Sequence, residues 1–230
     1  SPYPVSVLID SSADLRLAVE QELARESYDL AVCDFVQSAR NFQNVRAVPT
    51  LLFQHNVEAL ISRRHVQQNT NPVLKLFWWL QWKKMHRFEH KACRRFDTVI
   101  AVSDTDRRTF EDLYQADRVE TIPTGVDLEY YAPPGDRQEQ EHSLIFCGSM
   151  DWLPNEDAML FFLEAVLPEV TRKLPTVRLT VVGRNPSAAL QQTAARTPNM
   201  TLTGWVEDTR PYIAAGALFI VPLRIGGGTR

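Results

Sequence analysis

Short apolar runs alternate with amphipathic stretches along most of this 230-residue chain. The apolar runs predict β-strands at residues 30–35, 50–54, 98–102, 119–122, 143–147, 178–182, 200–203 and 217–221. Helical periodicity predicts helices at residues 14–26, 72–95, 104–114, 155–173, 187–196 and 209–214. Several strand segments are apolar nearly throughout, which is typical of parallel strands covered by helices on both faces. The alternation therefore predicts an α/β protein with doubly wound parallel sheets.

A polar, aperiodic stretch at residues 129–142 interrupts this alternation and contains Pro133, Pro134 and Gly135. Such a composition is typical of linkers between domains. We therefore expect two Rossmann-like domains, one at residues 1–128 and one at residues 143–230. Both are expected to be incomplete, because residues 1–10 lack a glycine-rich first turn and the chain stops at Arg230, where a helix should begin.

The cysteines and the absence of a leader favour a cytoplasmic protein. Cys33, Cys93 and Cys147 are widely spaced and form no C-x-x-C motif, which is typical of free thiols in a reducing compartment. No basic flank followed by an apolar run opens the sequence, so no signal peptide is predicted. The densest apolar stretch, residues 76–80, is too short to span a bilayer. We expect a cytoplasmic protein that is either soluble or held at a membrane surface.

Positive charge is concentrated in residues 59–96, which hold nine Lys and Arg and a single acid, Glu89. This segment carries +8 in a chain whose total is −3, so the remaining residues carry −11. A basic segment in an otherwise acidic protein predicts a local anionic partner and argues against general nucleic-acid binding. Glu89 is expected to pair with neighbouring cations along a helix.

The helix predicted at the end of this segment has two faces. A helical wheel assigns an apolar stripe to the core: Leu74, Trp78, Met85, Phe88, Ala92 and Phe96. The opposite face carries the cations Lys83, Lys84, Arg87, Lys91, Arg94 and Arg95. Around the N-terminal end of that second face lie Leu76, Phe77, Trp79 and Leu80. Residues 76–95 therefore suit an anionic membrane surface. The alternative is that the apolar side chains pack under a neighbouring segment and the cations are solvated.

Glycine follows four of the predicted strands in the C-terminal half, at Gly148, Gly183, Gly204 and Gly226. Ligands of open α/β sheets bind beyond the carboxyl ends of the strands, so these turns are expected to converge on one crevice. Glycine lets backbone N–H groups approach a phosphate closely. Arg224 and Arg230, beside the run of glycines, could supply positive charge for a diphosphate.

In their order and spacing these segments resemble the donor-binding domain of the retaining glycosyltransferases of family 4, which have the GT-B fold of two Rossmann-like domains. The N-terminal half resembles the family as well. Its matching motifs are Gln54-His55-Asn56-Val57-Glu58, Val102-Ser103-Asp104 and Ile122-Pro123-Thr124-Gly125-Val126-Asp127. The resemblance covers nearly the whole chain beyond about Tyr28.

The resemblance implies a role for each motif. His55 would be catalytic and project into the interdomain cleft near the transferred sugar, with Asn56 and Glu58 on the acceptor side. From its residue type alone, His55 could equally be a polar strand-end residue with a satisfied hydrogen bond. Gly148 would lie by the donor phosphates, and the base would be framed by Gly183, Arg184, Trp205 and Val206. The diphosphate would be held by Arg224, Gly226, Gly227, Gly228, Thr229 and Arg230. Such enzymes usually need no metal or other cofactor, because a helix N-terminus and basic side chains offset the charge of the leaving group.

The family resemblance implies sugar transfer with retention, from a nucleotide-diphosphate sugar to a saccharide or lipid-linked acceptor, in polysaccharide or glycolipid assembly. A nucleotide-sugar epimerase and a non-catalytic nucleotide-sugar-binding or membrane-scaffold protein are the alternatives. Two departures from the family stand out. The loop Gly148-Ser149-Met150-Asp151 lacks the basic pair of many relatives, and the chain stops before the acidic residue that grips the donor ribose. We therefore expect these 230 residues alone to be inactive.

Overall fold

A computed structural model describes residues 1–133, 135 and 139–226. Within these residues the chain forms two compact units. The first comprises Ser1–Gly125 together with Gly226, and the second comprises Val126–Ile225. The predicted linker at residues 129–142 stays a prediction, although a strand of the second unit already begins inside it, at Gln140.

The first unit is built on a parallel sheet with the strand order β1-β2-β3-β4. Its strands are β1 (Ala31–Asp34), β2 (Thr50–Gln54), β3 (Thr98–Ala101) and β4 (Val119–Thr121). Its helices are α1 (Val5–Ile9), α2 (Ala13–Arg25), a 3-10 helix (Val36–Phe42), α3 (Glu58–Gln68), α4 (Pro72–Arg95) and α5 (Asp104–Tyr114). Asp34 of β1 lies beside Phe53 of β2, so the residues that follow these two strands share one edge of the sheet.

The second unit has its own parallel sheet, in the order β7-β6-β5-β8. Its strands are β5 (Gln140–Cys147), β6 (Arg178–Val182), β7 (Met200–Leu202) and β8 (Gly216–Phe219). Its helices are α6 (Leu153–Phe161), a π-helical segment (Phe162–Val166), α7 (Leu167–Lys173), α8 (Ala188–Arg196) and α9 (Arg210–Ala215). Met159, Leu179, Val181 and Leu190 form the centre of its core, with at most 1% of each exposed.

The parallel α/β architecture predicted from the sequence is confirmed, and each predicted strand is present with ends shifted by at most a few residues. The helix predicted at residues 155–173 is interrupted by the π-helical segment. Pro168 has no N–H to donate to the carbonyl of Glu164, and the ladder is rearranged just before it. The three cysteines are free, and Cys33 and Cys93 are buried.

The core-facing stripe predicted for α4 is partly wrong. Met85, Ala92 and Phe96 are buried as expected, but Leu74 is 47% exposed. The reason is that the core of the first unit reaches α4 only from Trp82 onward, so the first turns of this helix have no sheet to pack against. The expectation for the one acid of α4 is also wrong, because Glu89 is completely buried and pairs with no cation among the described residues.

Candidate active site

His55 follows β2 at the carboxyl edge of the first sheet and is held there by a carboxylate. Its Nε2 lies 2.7 Å from Oδ1 of Asp34, the last residue of the adjacent strand β1. The imidazole stacks on Phe35, with ring centroids 4.1 Å apart, and meets the edge of Phe53 at 4.6 Å. The residue is only 7% exposed, whereas the Asp34 side chain is 61% exposed. The ring is therefore fixed in orientation while its carboxylate partner faces solvent.

Phe35 adopts a backbone conformation that places its ring over His55. Its φ is 64°, a left-handed value that is unfavourable for a bulky side chain. Such strain persists where the surrounding structure imposes it, and it is concentrated at functional sites. Sequence reasoning missed both Asp34 and Phe35. The available signal was an acidic residue at the end of a strand beside the strand that carries His55.

Asn56 and Glu58 lie next to His55, at the start of α3. The Asn56 amide approaches Glu58 Oε1 at 3.5 Å. Burial raises the pKa of Glu58, and hydrogen bonds from the side chains of Gln37 and Asn56 partly oppose that rise. Gln37 follows β1, and its Oε1 is a buried acceptor without a partner in the described part of the chain. Gln37, Asn56 and Glu58 thus form one hydrogen-bonded cluster after β1 and β2.

Glu89 of α4 holds the turn that carries His55 in place through hydrogen bonds. The Glu89 carboxylate accepts hydrogen bonds from the backbone N–H groups of Glu58 and Ala59, both at 3.0 Å, and from the Tyr114 hydroxyl at 2.7 Å. Gln54 Nε2 donates to the same carboxylate at 3.3 Å. The residue before α3, Val57, has no side chain that could cap the helix. Glu89 therefore supplies the N-terminal cap of α3 from another helix, and it fixes the His55 turn at both ends.

The Glu89 anchor predicts a pH-dependent stability of the first unit. Burial is the main cause that raises the Glu89 pKa to about 7, from 4.5 in an unfolded chain. The folded state therefore holds this proton more tightly, so the stabilisation is present below pH 4.5 and is lost as the pH rises through 7. The expected loss is about 3 kcal/mol in the free energy of unfolding.

Urea unfolding of the wild type and of Glu89→Gln at pH 5 and pH 8 tests this expectation. The substitution should remove most of the pH dependence, and a remainder of the same sign should persist because burial also raises the Glu58 pKa. Parallel pH profiles for the two proteins would show that Glu89 does not titrate in this range.

In the second unit, three of the four predicted glycine turns come together. Gly148 N donates to Val182 O at 2.9 Å, and Gly183 N donates to Gly204 O at 3.2 Å. A Cβ on Gly183 would lie 1.8 Å from the Gly148 carbonyl oxygen, so the turns after β5 and β6 touch through their backbones. Gly204 has a positive φ of 71°. Gly226 is grouped with the first unit, and its place in the predicted crevice stays a prediction.

A polar network joins the loops after β5 and β6. Arg184 Nε donates to Ser149 Oγ at 2.9 Å and lies 3.5 Å from Asp151 Oδ2. Asp151 also accepts from Ser149 Oγ at 2.6 Å and from the Asn185 amide at 3.0 Å. The hydrogen bond from Ser149 is the main cause that lowers the Asp151 pKa, so this carboxylate is ionised at neutral pH. An acid therefore stands in the loop where the family resemblance implied a basic pair, and it neutralises part of the Arg184 charge.

The remaining predicted donor residues have different surroundings. Trp205, which follows Gly204, is 71% exposed, and Val206 is half-buried. Arg224 donates from Nε to Asp157 at 3.0 Å and lies over the Phe161 ring, so its charge is already paired within the second unit. Gly227, Gly228, Thr229 and Arg230 lie outside the described residues. The described part of the chain has no group of three His, Cys, Asp or Glu residues arranged to hold a metal ion, and the expectation of metal-free chemistry stays a prediction.

Comparison with known families matches both halves of the chain. Residues 2–130 match the family described as Glycosyltransferase Family 4, and residues 141–230 match the family described as Glycosyl transferases group 1. A phosphatidyl-myo-inositol mannosyltransferase of Mycobacterium tuberculosis is 33% identical over 113 residues, which is 47% of this chain and 29% of that protein. The chain therefore spans less than a third of the length of the curated relatives it matches.

Solved structures share the fold at low sequence identity. Sucrose-phosphate synthase from Thermosynechococcus elongatus superposes with a TM-score of 0.69 at 15% identity, over 92% of this chain and 54% of that one. A variant of TarM from S. aureus, solved with UDP, superposes with a TM-score of 0.65 at 14% identity, over 89% of this chain and 38% of that one. At these identities the likeness shows the fold alone.

Proposed function

Because the chain belongs to glycosyltransferase family 4, we propose that the protein transfers a sugar, with retention, from a nucleotide-diphosphate sugar to a saccharide or lipid-linked acceptor in polysaccharide or glycolipid assembly. The observation that carries this proposal is the contact between the Gly183 and Gly148 turns at the carboxyl edge of the second sheet. Because glycines form this contact, no Cβ atoms cover the backbone at this edge of the sheet, and a diphosphate can lie against it.

The second unit supplies the donor site in this proposal. Helix α6 begins directly after the Gly148 loop. Its N-cap residue, Trp152, makes no side-chain hydrogen bond to the first N–H groups of the helix. The positive end of the helix dipole can therefore interact with the diphosphate. Gly183 and Arg184, with Trp205 and Val206, frame the base. The uridine diphosphate in the S. aureus TarM structure supports a donor of this class. The dipole of α6 and the partly neutralised Arg184 would offset the charge of the leaving diphosphate in a reaction without a metal.

The first unit supplies the acceptor side. His55 serves the transferred sugar, and Asp34 orients its ring. Asn56 and Glu58 offer polar groups for the hydroxyl groups of the sugar substrate. The name of the mycobacterial relative supports an acceptor that carries a phosphatidyl group.

A residue-level prediction concerns His55. Replacement by Ala is expected to lower kcat about 100-fold, because a fixed polar group at the reacting sugar is lost. Steady-state transfer assays check this result. His142 provides the matched control: it is an exposed histidine of the second unit, and His142→Ala should leave kcat unchanged. A His55→Ala enzyme with the wild-type kcat would assign His55 a purely structural role.

The membrane-proximal part of the proposal concerns α4. Apolar side chains stand exposed on its first turns, with Leu76 59%, Phe77 41%, Trp79 43% and Leu80 43% accessible, and the cationic stripe follows. We propose that residues 76–95 contact an anionic membrane from the cytoplasmic side. Among the described residues, no helix is both long and apolar enough to cross a bilayer.

Product analysis tests the proposed reaction. The full-length protein is incubated with labelled uridine and guanosine sugars, with and without a lipid-linked acceptor, and the products are separated. Labelled acceptor whose anomeric configuration is retained is the expected result. Conversion of the donor to its epimer without acceptor would assign an epimerase, and donor binding without any turnover would assign a scaffold.

A further inference from the structure

A cationic groove opens on the first unit beside the second half of α4. Its volume is about 490 Å³, and its walls come from that helix, the 3-10 helix and the N-terminal residues Pro2 and Tyr3. The floor is apolar and small, with Tyr3, Ala39, Phe88 and Ala92. The rim carries five cations: Arg40, Lys84, Arg87, Lys91 and Arg95. The lining includes no acid.

These five charges are not neutralised by the protein. Within the described residues, none of the five forms an ion pair with a carboxylate. Like charges gathered around one groove repel one another, and an anion seated between them relieves that repulsion. The groove therefore carries the positive charge expected of an anion-binding site, and its cations are not part of a structural ion-pair network.

Two of the guanidinium groups are already fixed in place. Arg95 Nη2 donates to the Ala39 carbonyl at 2.7 Å, and Arg95 also lies 4.9 Å from the centroid of the Phe96 ring. Arg40 lies over the Tyr3 ring at 4.4 Å. Arginine held in this way presents a planar fork that matches the oxygens of a phosphate. A volume of about 490 Å³ lies within the range of small-molecule sites, so the groove has room for a phosphodiester with a polyol.

The groove continues along α4 into an apolar row. The lining residues Lys84, Arg87, Lys91 and Arg95 recur every three or four positions on one side of the helix. The same row runs back through Leu80, Phe77 and Val73, which are 43%, 41% and 73% exposed. Leu80 and Lys84 are about 6 Å apart along the helix axis. A cationic groove and an exposed apolar track therefore lie in line, which matches a molecule with an anionic head and a hydrocarbon tail.

We propose that this groove binds the phosphate head group of an anionic membrane phospholipid, with its acyl chains directed along Leu80, Phe77 and Val73. The inference rests on the membrane contact of the proposed function and goes beyond it, because it assigns a stoichiometric, head-group-selective site. The apolar track favours a lipid over a free phosphate compound, which would use only the cations.

Vesicle binding with matched variants tests the site. Phosphatidylcholine vesicles receive either phosphatidylglycerol or an equal surface charge from oleate, which has no phosphate. In Arg87→Gln/Lys91→Gln, two lining cations are removed. In Lys83→Gln/Arg94→Gln, the same charge is removed from the same helix outside the groove. Thermal melts confirm that both variants are folded.

The wild type and the Lys83/Arg94 control are expected to bind phosphatidylglycerol vesicles about tenfold more tightly than oleate vesicles, because the groove has room for a whole phosphodiester head group with its polyol, whereas oleate offers a carboxylate alone. The lining variant should lose this preference. Equal preference in both variants, or none in the wild type, would overturn the site. Soluble glycerol phosphate that binds as tightly as the vesicles would also overturn it, by assigning a free phosphate ligand.

Transfer to a soluble saccharide acceptor separates this inference from the proposed function. The lining variant should retain wild-type transfer, because neither Arg87 nor Lys91 lies at His55 or at the donor edge. A protein that transfers sugar but shows no head-group preference would refute the groove alone. A protein that shows the preference but transfers no sugar would refute the proposed reaction alone.

Discussion

Replacing Gly183 by Ala is expected to destabilise the second unit by at least about 3 kcal/mol, or to prevent its folding. A Cβ at this position would lie 1.8 Å from the Gly148 carbonyl oxygen and 2.9 Å from its carbon. Both atoms belong to the backbone, so no change of rotamer relieves the overlap. Hydrogen bonds from Gly148 N to Val182 O and from Met150 N to Arg184 O hold the two turns together, and separating the turns would break them.

Denaturant unfolding monitored by tryptophan fluorescence measures this effect, since Trp152 and Trp205 report on the second unit. The matched control is Gly135→Ala in the same unit, where an added Cβ meets no atom of the described residues within 4 Å. The control should change the free energy of unfolding by no more than about 0.5 kcal/mol. Two variants of equal stability would show that the turns after β5 and β6 are not in contact.

Replacing Glu89 by Leu is expected to cost the first unit about 4 kcal/mol at neutral pH. The substitution leaves the N–H groups of Glu58 and Ala59 and the Tyr114 hydroxyl buried without their acceptor. It also removes the cap of α3, which Val57 cannot replace. Disorder of this turn should lower transfer activity as well, because His55 precedes it.

The control for Glu89 is Tyr114→Phe, which removes one donor and keeps the acceptor. It should cost about 1 kcal/mol, the usual net value of one hydrogen bond. Urea unfolding of both variants at pH 7 gives the comparison. A Glu89→Leu protein as stable as Tyr114→Phe would mean that the carboxylate does not hold the N-terminus of α3.

The strands were predictable because a strand buried on both faces consists almost entirely of apolar residues. Leu179, Val181 and Val182 are interrupted only by Thr180, and all three are buried in β6. The same reasoning placed Gly148, Gly183 and Gly204 at one sheet edge, since each follows a strand and parallel strands end together.

Glu89 was not predictable from its own helix. Its neighbours in sequence are cations, and the partners that bury it come from the Gln54–Ala59 turn and from Tyr114. Predicting this required α3, whose sequence EALISRRHVQQ is polar and gives little amphipathic signal. The wheel for α4 failed for a related reason, because it assumed one uniform environment over a helix whose first turns, residues 72–77, are exposed and whose later turns pack against the core.

Only part of the His55 site could be predicted from the sequence. The family motif identified His55, but Asp34 and Phe35 reach it only through the pairing of β1 with β2, and a sequence does not state which strands are neighbours. The strained φ of Phe35 likewise depends on tertiary packing.

The central claim is that the glycine edge of the second sheet binds the diphosphate of a nucleotide sugar. Calorimetric titration of uridine and guanosine diphosphates into the protein tests it with Ser149→Asp and Ser149→Asn. Both substitutions remove the hydroxyl that binds Arg184 and Asp151, and they differ in charge alone. We predict a Kd at least about tenfold weaker for the Asp variant, from repulsion between the carboxylate and the diphosphate. Equal affinities in the two variants would contradict the claim.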